Sequence, residues 1–150
     1  MGKIVVYNND ENGIDILIPV LGYDLTFEEI VKKDVPNGKE FIILDSSDLP
    51  KNNIFRNAWV LDSNNVIIDL EKSKTISHEI RRYVREIKFK PLDELIMKQI
   101  PNIDLNEVEN KRQKIRDEDT LVQLEIDKSI IIDELYLLVE NILKEITSNN

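Results

Sequence analysis

Two apolar runs near the start of the chain, "KIVVY" and "IDILIPV", flank "NNDENG", whose residues tolerate left-handed and Asx-turn geometry; the pattern predicts a β-hairpin. Pro19, near the end of the second run, places that strand at a sheet edge. In "LTFEEIVKKDVPNGKEF", Thr26 followed three residues later by Glu29 is a capping box, predicting a short helix from Phe27 to Lys33 that ends at "VPNG". "KEFIILD" predicts a third strand. "AWVLD" and "VIIDL" predict a second hairpin, with Asn64 and Asn65 as its turn. Between these strands, "SSDLPKNNIFRNAW" reads as a connector. Its Phe55 and Trp59 are expected in the structural core, at the seam between the β module and the helices, with Arg56 and Asn57 facing outward or tying down the loop.

From Leu70 the apolar period changes to that of a helix, and no glycine follows Gly38. Ile76, Ile80, Tyr83, Val84 and Ile87 fall within about a 100° stripe, as expected for a helix packing one face. Pro91 predicts a kink or short break before "LDELIMKQI". Asp104 with Glu107 starts another helix, whose sparse apolar edge is Leu105, Val108 and Ile115, and the two make an antiparallel hairpin. A last helix, from Ser129 to Ile146, carries an apolar stripe of about 140°, or about 160° with Tyr136. Leu137 and Ile130 lie outside it. The expected architecture is therefore α+β: a small antiparallel β module with one short helix over residues 1–70, followed over 71–150 by a helical hairpin and a C-terminal amphipathic helix.

Composition narrows the function classes. The longest apolar runs fall far short of the roughly 18 residues of a membrane span. The N-terminus turns polar too soon for a signal-peptide core, and Val6 stands where a myristoylation signal has Ser or Thr. With no cysteine and one histidine, thiol catalysis, Fe–S clusters and the usual zinc sites are excluded. A net charge of −9 argues for protein partners and against a nucleic acid backbone. The charge is unevenly placed: residues 72–90 hold seven basic against two acidic residues, and 117–134 seven acidic against one basic. The two segments are complementary.

Candidate chemistry is sparse. His78, the single possible imidazole base, projects opposite the apolar stripe of its helix and is expected at the surface. Asp117 and Asp119 lack the surrounding oxygen ligands and turn glycine of a calcium loop. Gly2, Gly13, Gly22 and Gly38 are too dispersed to cradle a phosphate. No catalytic residue, metal ligand or cofactor is expected, and the chain reads as a non-enzyme. His78, Arg81, Arg82 and Arg85 form a basic stripe near Phe89, read either as a phosphate-binding face or as one that meets the acidic segment. The last helix is the expected partner surface, through Ile131, Leu135, Leu137, Leu138, Ile142 and Leu143, because its stripe is wider than one neighbour covers.

"KDVPNGKEFIILDSSDLPKNNIFRNAWVLD" resembles short bacteriophage proteins encoded near tail-fibre genes. The matching residues are Asp34, Val35, Pro36, Gly38, Asp48, Leu49, Pro50, Phe55, Arg56, Asn57, Ala58 and Trp59. "IRRYVREIKFKPLDEL" and "ENKRQKIRD" are similar to that group's helical half, so the resemblance covers most of residues 1–118. It implies a non-enzymatic tail-fibre assembly chaperone or minor virion component, working through contacts with a tail-fibre or other tail protein. It implies location in the cytoplasm of a bacterial host, or in the virion tail. The alternative is a small adaptor that forms a homo-oligomer through its last helix.

Overall fold

The computed structural model describes residues 2–20 and 24–147; Gly22 lies outside them. The fold is α+β, and the chain divides into two compact units, Met1–Asp69 and Leu70–Asn150.

In the first unit, β1 (Lys3–Asn8) is the central strand of an antiparallel sheet, with β2 (Ile14–Leu17) on one side and β3 (Phe41–Asp45) on the other. The registers pair Val6 with Ile16 and with Ile42. The continuous apolar run of β1 has a direct explanation, because both sheet faces are covered. Ile4 and Val6 join Ile14, Trp59 and Val66 on one face, where the hairpin β4 (Trp59–Asp62) and β5 (Asn65–Ile68) packs. Val5, on the other face, packs with Val31 and Val35 around α1 (Phe27–Asp34), with Tyr7, Leu17 and Phe27 alongside. The box at the start of α1 is formed as the spacing predicts: Thr26 Oγ1 accepts from the Glu29 N–H, and the Glu29 carboxylate accepts from the Thr26 N–H.

The second hairpin corrects one expectation. Asp62 pairs with Asn65, so the turn is Ser63–Asn64 and Asn65 is already in the strand. A two-residue loop that matches strand twist needs positive φ, and Ser63 takes it at 55°. A side chain there is strained, so Ser63→Gly is expected to stabilise this unit by about 0.5–1 kcal/mol in denaturant unfolding.

The second unit is helical. α2 (Leu70–Met97) runs through Pro91 as one helix, so of the expected kink or short break the break does not occur; the ladder forgoes the one donor that proline lacks. Two residues past its end, Gln99, with a φ of 45°, supplies the left-handed cap without a glycine. α3 (Leu105–Lys128) starts at Asp104, whose carboxylate accepts from the N–H groups of Asn106 and Glu107. α3 lies antiparallel to α2, since Asp127 meets His78, Asp119 meets Arg81 and Arg85, and Arg112 meets Asp93. After a three-residue connection, α4 (Ile132–Thr147) begins three residues later than expected. It returns beside α2 and parallel to it, reaching Lys88 with Glu145.

α2 is thus the spine of this unit and is covered on two sides. Its buried residues are Ser73, Ser77, Arg81 and Val84. That arc is rotated by roughly 70° from the apolar stripe of the sequence, and Tyr83, within the stripe, is exposed. Small serines admit the neighbouring helices closely, and Ser77 satisfies its hydroxyl by donating to the Ser73 carbonyl at 2.7 Å.

Candidate functional site

The basic stripe does not form a single exposed face. Arg81, 6% exposed, donates to Asp119 at 2.8 Å, and Arg85 donates to the same carboxylate oxygen at 3.0 Å. The Arg81 Nε–H also donates to Nδ1 of His78 at 3.2 Å, while Nε2 of His78 lies 2.8 Å from Asp127. Arginine can only donate, so Nδ1 must accept and the proton of neutral His78 sits on Nε2, directed at Asp127. His78 is therefore not a free surface imidazole as expected from its projection; α3 covers that side of α2 and leaves its side chain 18% exposed. Of the four, Arg82 alone is exposed. The basic and acidic segments meet each other along α2 and α3, and they line an open cavity of about 280 Å³ together with Val122 and Ile142. Its cations Arg81, Arg85 and Lys88 are matched by the acids Glu118, Asp119 and Glu145.

The expected partner face of α4 divides. Leu135 and Ile142 are buried within the chain, as is Val139, so these residues hold α4 in place rather than offering a surface. Leu138 and Leu143 are half-buried. Ile131 and Leu137 are exposed, as is Ile130 before the helix. The centre of the stripe is thus a core seam with half-buried margins, and Leu137 and Ile130 are exposed on the opposite side of the helix. Phe55 and Trp59 are buried, and Trp59 packs in the sheet–hairpin cluster of the first unit. The Arg56 guanidinium lies 4.8 Å from the Trp59 ring centroid and donates to the Ile14 carbonyl. It ties the connector to β2, one of the two roles expected of it.

The sequence reading passed over the far end of the helical hairpin. Within this unit, α4 meets Lys88 through Glu145, close to its end at Thr147, and among the described residues the last nine residues of α2, about 13 Å of helix, are paired with α3. There the contact is made by Phe89, with the guanidinium groups of Arg112 and Arg116 at 5.7 and 5.8 Å from its centroid. Arg116 and Arg112 both donate to Glu109, and they hold its carboxyl below the usual range. Beyond this clasp Ile96, Met97, Ile100 and Leu105 are exposed, Met97 at 81%. The signal was available in sequence: apolar residues on both sides of a Pro101–Asn102 turn, where a solvated loop would be polar. Such a tip can bind an apolar surface.

Among the described residues no cluster of three or more His, Cys, Asp or Glu is placed to hold a metal ion, and no helix is long and apolar enough to cross a membrane. No protein-family model matches the chain, and no curated protein or solved structure shows significant similarity to it.

Proposed function

We propose that this chain is a non-enzymatic, phage tail-associated protein, a tail-fibre assembly chaperone or minor virion component acting through protein–protein contacts in the host cytoplasm or the virion tail. The observation that carries the protein-binding part is the apolar end of the α2–α3 hairpin, where Ile96, Met97, Ile100 and Leu105 are exposed together on helices anchored by ion pairs further along. Grouped exposed apolar residues on a rigid support are the usual form of a protein-binding surface. The tail-fibre part is supported by the "DLP" and "FRNAW" resemblance.

Co-expression with a C-terminal fragment of a neighbouring tail-fibre protein is expected to keep the fragment soluble and to give a complex that co-elutes in size exclusion. Met97→Glu combined with Ile100→Glu is expected to leave the circular dichroism unchanged and to weaken that complex at least about tenfold, the cost of desolvating charges in an apolar contact. If every neighbouring fibre fragment fails to co-purify, the chaperone reading is wrong.

A further inference from the structure

β3 carries an open edge whose free groups can be identified. The Ser46 N–H donates to the Gly2 carbonyl, and in an antiparallel ladder hydrogen-bonded pairs alternate with non-bonded ones. In the register of β1 with β3, Leu44 therefore pairs with Ile4 and Ile42 with Val6 through hydrogen bonds. The N–H and C=O groups of Phe41 and Ile43 therefore point away from β1. Among the described residues no strand lies on that side. The side chains of the same two residues are on the α1 face of the sheet. α1 packs over β1 and β2 there and leaves Phe41 44% and Ile43 48% exposed beside a groove of about 360 Å³. An unpaired edge with large apolar side chains is a template for another strand.

We propose that the occupant is a second copy of this chain, with the two β3 strands antiparallel across a two-fold axis at Ile42. In that register Phe41 stands opposite Ile43 of the other copy and Ile43 opposite its Phe41, so the free N–H and C=O groups close four backbone hydrogen bonds. The four apolar side chains shield one another. One step further out, beyond the strand, Lys39 stands opposite Asp45 of the other copy in register; within its own chain Lys39 meets Asp10 and Asp45 accepts from Ser47. No like charges are directly opposed along "KEFIILD". Every cross-strand pair on the α1 face is then apolar with apolar or cation with anion, a self-complementarity that an isologous dimer requires. The contact is small, so the dissociation constant is on the order of micromolar or weaker.

Sedimentation velocity of the full chain, at about 0.15 M salt to screen its net charge, tests this over loading concentrations from about 1 µM to about 1 mM. The mass is expected to rise to that of a dimer, and Ile43→Lys, at an exposed position, to raise the dissociation constant at least about tenfold with unchanged Trp59 fluorescence. The absence of native cysteines allows a check of register. Ile42→Cys is expected to form a disulfide-linked dimer under mild oxidation. Leu44→Cys, on the same strand face but roughly 13 Å from its counterpart by strand rise, is not. A chain that stays monomeric to about 1 mM, self-association untouched by Ile43→Lys, or equal cross-linking at both positions would overturn the proposal.

Discussion

Asp119→Ala is expected to destabilise the helical unit by about 3–5 kcal/mol, the cost of leaving a buried charge without its partner. Arg81 is 6% exposed, and Asp119, at 11%, is the one carboxylate that both Arg81 and Arg85 reach. Removing it strands one guanidinium inside the packing of α2 and brings the second cation no compensation. The double change Arg81→Met with Asp119→Leu is expected to recover most of the loss, since apolar groups of similar volume dispense with desolvation altogether. Denaturant unfolding followed by far-UV circular dichroism reads the effect, because this unit holds three of the four helices. A loss below about 1 kcal/mol, the size of an exposed ion pair, would mean that water reaches Arg81.

Phe55→Ala is expected to cost the β module a similar amount, about 3–5 kcal/mol. Phe55 has no exposed surface, Ala58 and Trp59 beside it are buried too, and a unit of this size has few other aromatic side chains in its interior. The cavity left by the ring cannot be filled by collapse of a short 3-10 turn pinned by the Ala58 N–H to Phe55 carbonyl bond at 2.9 Å. Trp59 is the single tryptophan, so its fluorescence reports on this unit while circular dichroism reports mainly on the other. The midpoint by fluorescence should fall to lower denaturant, and Phe55→Leu should restore most of it. A shift no larger than that of a surface substitution, within about 0.5 kcal/mol, would remove Phe55 from the core.

Local signals in the sequence carried the elements far. Strands, capping residues and the change from alternation to helical periodicity at Leu70 are set by a few neighbouring residues, which is why all five strands and four helices were legible, with errors of a few residues at their ends. The Thr26–Glu29 box and the Asp104 cap formed as their spacing predicts. Pro91 does not break α2, because one missing hydrogen bond in a long helix is a smaller penalty than the packing lost by breaking it. Ser63 misled because an Asn pair is a stronger turn signal than Ser, while the register with β5 decides which two residues make the turn.

The order and type of the elements, the division near residue 70, and the complementarity of the basic and acidic segments are legible in the chain before it folds. How each face is used follows from packing. A helical projection locates apolar residues, but burial depends on how many neighbours a helix has and where they lie. α2 received two, which turned Arg81 and His78 inward and Tyr83 out; α4 spent the centre of its stripe on its own chain and ended short of the hairpin tip. For the same reason Phe41 and Ile43, ordinary strand residues in sequence, became an open edge once α1 settled over the other two strands.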